Sequence, residues 1–286
     1  MSDPLEQVRR RLGQDLFARV AGSEGPRRRD RIHLTPGPRW FEAGSPIAMV
    51  QGDASMFVGG LRALLLQSLH PSAMAAVAGH SGFRGDPWGR LQRTSTFLAT
   101  TTFGAAADAD AAVAQVRSIH DRVRGRTADG TPYSASDPRL LLWVHVAEVD
   151  SFLSAHQRYG AHQLGPAEAD QYVAQAALVA ERLGATGVPT SVADLAECIA
   201  GFRPELRGTP AARGTARFLL LHPPLPLPAR AGYALLAAAA VGLLPRWARW
   251  PLRLPYLPLA EATAVRAAGS VATGTIRWAM AAVPAS

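Results

Sequence analysis

Residues 137–154 read DPRLLLWVHVAEVDSFLS, and this stretch decides the fold. Asp137 followed by Pro138 is typical of a helix start, because proline at the first helical position already has a suitable φ. From residue 139 to about residue 154 the side chains are apolar nearly all round. The sequence therefore predicts a buried helix here.

The stretches on either side of this helix show the same helical period. Residues 61–69 contain an apolar run that ends just before Pro71, where proline restricts the preceding backbone. A helix over residues 109–124 is predicted between an N-cap at Asp108 and a C′ glycine at Gly125. Further helices are predicted over residues 73–78, 90–103, 166–183, 192–199 and 210–221. Because no alternating pattern of convincing length is present, we expect an all-α protein.

The chain divides into a leading arm and one large domain. Residues 1–46 open with a short amphipathic helix and continue as a run rich in glycine, proline and arginine, which is typical of an irregular arm. Residues 47–286 are expected to form a single helical domain, since a chain of 286 residues lies near the upper end of one domain's size.

The C-terminal part carries two features that bear on membranes. Residues 233–244 are apolar, but this is shorter than the roughly 20 residues that cross a bilayer, so no transmembrane segment is expected. Residues 245–256 mix arginine with aromatic side chains. A proline-punctuated surface connection is the favoured interpretation, and peripheral contact with membrane headgroups is the alternative.

Composition narrows the class of protein further. A single cysteine, Cys198, excludes an internal disulfide, and no secretory pattern opens the sequence, which predicts a cytoplasmic location. The net charge of +8 comes entirely from arginine, since the chain has no lysine. The basic clusters at residues 9–11, 27–31 and 246–253 accompany no nucleic-acid motif, so nucleic acid is not an expected partner.

Two histidines have positions that suggest chemistry. His120 recurs at helical spacing with Val113, Val116 and Val123, which places its imidazole on the core-facing stripe of its helix. The residues alone leave two interpretations open, a metal or haem ligand or a core histidine bonded to a carbonyl. His145 is a second inward imidazole, because it lies in the buried helix over residues 139–154.

A third candidate element begins at Arg90. Arg90, Thr94, Phe97 and Thr101 share one helical face, and Arg93 borders it. Two arginines and a threonine at the mouth of an apolar helix can clamp a carboxylate or donate to bound oxygen. The alternative is an exposed helix start whose arginines pair with surface acids. The chain lacks the motifs of di-iron bundles, zinc proteases, P-loops, nucleophile elbows and dinucleotide-binding folds.

Several motifs in order resemble one known family. They are LQSLHP at 66–71, HSGF at 80–83, DPWGRLQRT at 86–94, IHDRVRG at 119–125, YSASDP at 133–138 and LWVH at 142–145. Together they resemble the haem-dependent oxygenases that include the latex-clearing rubber oxygenases and the fungal MpaB-type enzyme. The likeness is firm over residues 47–152, with its motif core at 66–152, and looser over residues 225–246.

The resemblance implies a globin-like helical core with additional N- and C-terminal helices, and a non-covalent haem b in the domain over residues 47–286. His120 matches the proximal iron ligand, with His145 as a further haem-binding residue. Arg90, Arg93 and Thr94 match the distal catalytic element, of which Arg90 and Thr94 also contact the cofactor.

Two departures from the family pattern bear on the activity. Arg93 stands where the rubber oxygenases have a lysine that approaches the iron, and arginine is a poor iron ligand because it does not deprotonate. The only acids over residues 43–90 are Asp53 and Asp86, so a rubber-type catalytic glutamate has no match within that stretch.

The function expected is that of a haem b oxidoreductase, an oxygenase or oxidase that acts on a small or lipid-like apolar substrate with dioxygen or peroxide. Two alternatives stay open. One is a non-catalytic haem sensor or carrier, and the other is a haem-free helical interaction protein.

Overall fold

The fold is all-α, as the sequence predicts. A computed structural model describes residues 3–80 and 85–282, and within them helices alternate with short loops. The helices are α1 Pro4–Ala21, α2 Gly25–Leu34, α3 Pro46–Gly52, α4 Met56–Gln67, α5 Pro71–His80, α6 Pro87–Phe103, α7 Ala106–His120, α8 Pro138–Tyr159, α9 Pro166–Leu183, α10 Val192–Phe202, α11 Pro210–Leu221, α12 Leu227–Leu243, α13 Arg246–Leu252, α14 Pro258–Ala260 and α15 Arg266–Met280. A 3₁₀ turn at Arg203–Glu205 and a π-helical turn at Glu261–Val265 complete the helical elements. Most of the HSGF motif lies outside the described residues.

The buried helix predicted from residue 139 is α8, and it is the centre of the molecule. The carboxylate of Asp137 caps it by accepting hydrogen bonds from the backbone N–H groups of Arg139 and Leu140. The helix continues to Tyr159, beyond the predicted end near residue 154. Ala155 and His156 are buried although polar residues lie beside them in the sequence, and they extend the buried face of the helix.

Helix α4 packs along α8 more extensively than any other described element. Gly59 permits this close approach, since a Cβ there would lie 2.8 Å from Cδ1 of Phe152. On another side of α8, Trp143 is fully buried and its ring lies 5.2 Å from that of Phe202 in α10. The main apolar core therefore surrounds α8, with α3, α4, α9, α10 and α11 contributing to it. A smaller apolar cluster joins α12 and α15 to the far end of α8.

The N-terminal stretch is more regular than predicted. Residues 25–34, expected to belong to an irregular arm, form helix α2, and α1 is 18 residues long. Both helices pack on α6, and α1 also packs on α15. The prediction failed because arginine and proline dominate the composition of α2, whereas its contacts with distant helices stabilise it.

Helix α7 also differs from its prediction. It begins at Ala106, so Asp108 lies inside the first turn, where it pairs with Arg31, and does not cap the helix. It ends at His120 and not at residue 124, because Arg124–Arg126 pairs with Pro132–Ser134 in a small antiparallel hairpin that contains Gly125. His120 is thus the last residue of α7.

No single helix in the described part of the chain is long and apolar enough to cross a membrane. Helices α12 and α13 satisfy length and composition only as a pair, and their axes are bent by 119° at the break between them.

Candidate functional site

One face of helix α6 is held against α1, so the opposite face of α6 points away from α1. The Nε2 of Gln92 and the Oγ of Ser95 each donate to a backbone carbonyl of α1, at 3.3 and 2.9 Å. Because of the helical period, Arg90, Thr94 and Phe97 lie on the side facing away from α1. The face that the sequence predicts as the distal element is therefore the one left uncovered by the N-terminal helices.

The three predicted distal residues have different surroundings. Arg90 is half-buried, and burial, followed by the charge of Arg93, lowers the pKa of its guanidinium. The Arg93 side chain is 64% exposed, and its Nη1 lies 3.3 Å from Oδ2 of Asp86, the residue that caps α6. Thr94 is exposed. Their assignment to an oxygen-binding site stays a prediction.

His120 is placed so that a ring nitrogen is unsatisfied. Its Nδ1 is buried and has no hydrogen-bond partner among the described residues. Burial lowers the pKa of the imidazole, and the neighbouring Asp121 opposes that shift. A neutral imidazole is the form that donates a lone pair to a metal. His120 also lines a cleft of about 310 Å³, with Arg117, Asp121, Ser136, Pro138, Leu183 and Gly184.

Helix α8 presents a second unsatisfied imidazole. Burial lowers the pKa of His145 to about 4, and its Nε2 has no hydrogen-bond partner among the described residues. The side chain nevertheless retains some accessible surface.

Glu148 lies one turn further along this face of α8, and sequence reasoning missed it. Burial raises the pKa of its carboxyl to about 7. It too retains accessible surface, and no described residue hydrogen-bonds or ion-pairs with it. The nearby Tyr172 has a buried hydroxyl without a partner. The available signal was an acid three residues after His145 in an otherwise apolar stretch.

Helices α6 and α7 form a pair that makes little contact with α8. Among the described elements, α6 and α7 pack on each other, but neither packs extensively against α8. Only Thr101 and Thr102, at the end of α6, are fully buried in that helix, and only Ala109 and Val113 are in α7. Most side chains of α6 and α7 therefore keep some accessible surface.

His145 is not among the described residues that line the cleft at His120. The two imidazoles are the residues that would hold a haem. A haem needs one or two protein ligands to iron, surrounded by apolar side chains, and the chain supplies two desolvated imidazoles, at the end of α7 and on α8. In the part of the chain that is described, no group of three or more histidine, cysteine or acidic side chains is arranged to hold a metal ion directly.

Two other histidines are buried elsewhere in the fold. His70 Nε2 lies 3.5 Å from Oε2 of Glu205, and its ring lies 6.3 Å from that of Trp143. His156 is buried near Asp53 and Arg277, toward α15. Nδ1 of His70 and both ring nitrogens of His156 also lack a hydrogen-bond partner among the described residues. A larger cleft of about 760 Å³, between residues 40–46 and α9, contains none of the predicted site residues.

Comparison with known proteins agrees with the resemblance in the motifs. No curated protein and no solved structure matches the chain, so the globin-like arrangement of the core stays a prediction. A family model described as "ER-bound oxygenase mpaB/B'/Rubber oxygenase, catalytic domain" matches residues 48–278, which is most of the chain. The chain therefore belongs to the mpaB and rubber oxygenase catalytic-domain family.

Proposed function

We propose that this protein is a haem b-dependent oxygenase or oxidase of a small or lipid-like apolar substrate, with dioxygen or peroxide as co-substrate. Membership in an oxygenase family supports the class of reaction. The observation that supports haem as the cofactor is a pair of desolvated imidazoles. They are His120 and His145, and each has a buried nitrogen that lacks a hydrogen-bond partner. Buried polar atoms are rarely left unsatisfied unless a ligand or water satisfies them.

In this proposal His120 holds the iron and His145 contacts the cofactor from α8. When bound, haem supplies an iron that activates dioxygen or peroxide. Arg90 adds a permanent positive charge in a desolvated position, where it stabilises developing negative charge more strongly than in water. Arg93 and Thr94 stand at the accessible edge of the same helical face, so they act on substrate and oxygen as these enter.

Glu148 supplies the buried acid. Of the two acids within residues 43–90, Asp53 is held by Arg277 at 2.9 Å and Asp86 caps α6. Both are occupied by structural contacts. Glu148 has no such contact, and a pKa of about 7 lets it hold or release a proton near neutral pH. The lack of a glutamate over residues 43–90, where the rubber oxygenases carry their catalytic glutamate, favours a different substrate.

Haem titration followed by oxygen measurement tests the proposal. We expect the purified protein to bind one haem b per chain with a Soret band, and the complex to consume oxygen when an unsaturated lipid is added. A haem complex that never consumes oxygen with any apolar substrate would favour the non-catalytic carrier. Absence of a Soret band after haem addition would favour the haem-free interaction protein.

A further inference from the structure

The net positive charge of the molecule comes from its C-terminal part. Residues 206–286 contain nine arginines and a single acid, Glu261, which gives this part the whole formal net charge of +8. Residues 1–205 contain 21 arginines and 21 acids and are therefore neutral overall. The strong basicity is thus not spread evenly over the chain, and one part of the molecule carries all of it.

Most of these C-terminal arginines have no acidic partner. Glu261 is engaged by Arg249, and Arg277 is engaged by Asp53. Among the described residues, the other arginines of this part form no ion pair with a carboxylate; they are Arg207, Arg213, Arg217, Arg230, Arg246, Arg253 and Arg266. Their charges are therefore not compensated within the protein.

The same part exposes large apolar side chains close to these charges. Trp250 is 88% exposed and Leu259 is 84% exposed, and Tyr256 and Leu257 are also exposed. The guanidinium of Arg246 lies 5.4 Å from the centre of the Tyr256 ring. We call the exposed side chains of residues 246–259 the Trp250 surface. It combines aromatic, aliphatic and cationic groups within one short segment.

The Trp250 surface stands on a fixed scaffold. The Arg249 side chain is 4% exposed, and it donates to the backbone carbonyls of Leu244 and Gly242 at 2.8 Å each. It also pairs with Glu261, whose carboxylate accepts the backbone N–H of Leu257 at 2.9 Å. Because one buried arginine ties both ends of the segment together, the outward position of its apolar residues is built into the fold.

We propose that the Trp250 surface docks on an anionic lipid bilayer. Tryptophan and tyrosine prefer the headgroup level of a membrane, where leucine side chains can reach the acyl boundary. Arginines without acidic partners are attracted by anionic lipids at roughly 1 kcal/mol each. A second copy of the chain is disfavoured as the occupant, because a two-fold contact would bring two uncompensated positive surfaces together.

Vesicle sedimentation tests this proposal. We expect binding to vesicles of equal parts phosphatidylglycerol and phosphatidylcholine, and at least about tenfold weaker binding to phosphatidylcholine alone. Raising NaCl from about 0.1 M to about 0.5 M should weaken the binding, because the charges are screened. Trp250→Ser combined with Leu259→Ser should reduce binding by at least about tenfold, since two large apolar side chains no longer insert.

A second variant tests the charges, and a third is the control. Arg246→Gln with Arg253→Asn should reduce binding to the anionic vesicles by about tenfold and leave binding to phosphatidylcholine unchanged. Asparagine is chosen at position 253 because Arg253 has a φ of +57°, which asparagine tolerates. The control, Leu34→Ser with Arg27→Gln, removes an exposed leucine and an exposed arginine from α2 and should bind as the parent does.

Three outcomes would overturn the proposal. One is no binding to either vesicle, and another is binding that all three variants retain. The third is a dimer of the parent in solution that the Trp250→Ser, Leu259→Ser variant converts to a monomer, since this would assign the Trp250 surface to a second copy. None of these readouts depends on haem or on oxygen consumption.

Discussion

Some polar side chains at α8 have hydrogen-bond or ion-pair partners, and others do not. On the face toward α4, Arg62 is buried, its Nη1 donates to Ser151 Oγ at 2.7 Å, and its Nη2 lies 2.7 Å from Asp150. Elsewhere on the same helix, His145 has an unsatisfied nitrogen, and no described residue contacts the carboxylate of Glu148 by a hydrogen bond or ion pair. Both sets of α8 side chains belong to one helix and are desolvated by the same fold.

This difference separates polar groups that hold the fold from those available for a ligand. A buried polar atom without a partner costs roughly 1–3 kcal/mol. The contacts of Arg62 avoid that cost, whereas the fold bears it at Nε2 of His145. Unsatisfied buried polar atoms are expected where a site is prepared for a ligand or a reaction.

Replacing Arg62 tests the polar contacts that hold the fold. This substitution should have the largest effect on the free energy of unfolding. We expect Arg62→Met to lower the free energy of unfolding by about 3 kcal/mol, the low end for a broken buried pair, since the Asp150 side chain is 30% exposed. Urea unfolding measures this. Arg27→Met, which removes an 86% exposed partner of Glu24, is the control and should change stability by less than about 1 kcal/mol. Equal effects of the two substitutions would contradict the comparison.

Glu148 should make the stability of the protein depend on pH. Its folded pKa, about 7, lies above the ordinary value of 4.5, so the folded state holds the extra proton between those pH values. Ionisation of the buried carboxyl should therefore lower stability as pH rises from about 4.5 to 7, by up to about 3 kcal/mol. Glu148→Gln cannot ionise, so its stability relative to the parent should be higher at pH 8 than at pH 5.

The measurement is the difference in unfolding free energy between the parent and Glu148→Gln at the two pH values. The effect of His145, whose depressed pKa makes stability rise between about pH 4 and 6.5, occurs in both proteins and cancels in that difference. Glu197→Gln, at an exposed position on α10, is the matched control. A parent-to-variant difference that does not change with pH would show that Glu148 is not held in a desolvated position.

The distal residues should give smaller effects, on turnover alone. We expect Arg90→Met to leave haem occupancy intact and to lower the rate of oxygen consumption by about tenfold, or about 1.4 kcal/mol, because a desolvated donor is lost. Arg93→Met and Thr94→Val should have weaker effects, since both side chains are exposed. Loss of haem in Arg90→Met, with normal turnover in the remainder, would instead assign Arg90 to a haem propionate.

Local signals predicted much of this fold. Asp137 and Pro138 begin α8, and residues 166–183 and 210–221 form helices with the predicted bounds, because caps, prolines and apolar period act within a few residues. Long-range contacts escaped prediction. Helix α2 is stabilised by packing on α6, and the end of α7 at His120 is set by pairing between strands.

The candidate site was predicted only in part, for the same reason. Motifs and helical period pointed to His120 and His145, whose nitrogens the structure leaves buried and unsatisfied. Glu148 was missed because a single acid in an apolar stretch has the same appearance whether it pairs, as Asp150 does with Arg62, or remains unpaired. Only the ion pair of Asp150 with Arg62, a residue of α4, distinguishes the two acids.

Haem titration of four proteins tests the central claim, that His120 at the end of α7 and His145 on α8 hold the cofactor. The parent should bind one haem per chain, and His222→Ala, at an exposed position after α11, should bind it equally well. His120→Ala should lose stable haem binding, whereas His145→Ala should retain haem with an altered spectrum. One haem bound by His120→Ala with an unchanged spectrum would contradict the account and transfer the ligand assignment to His145.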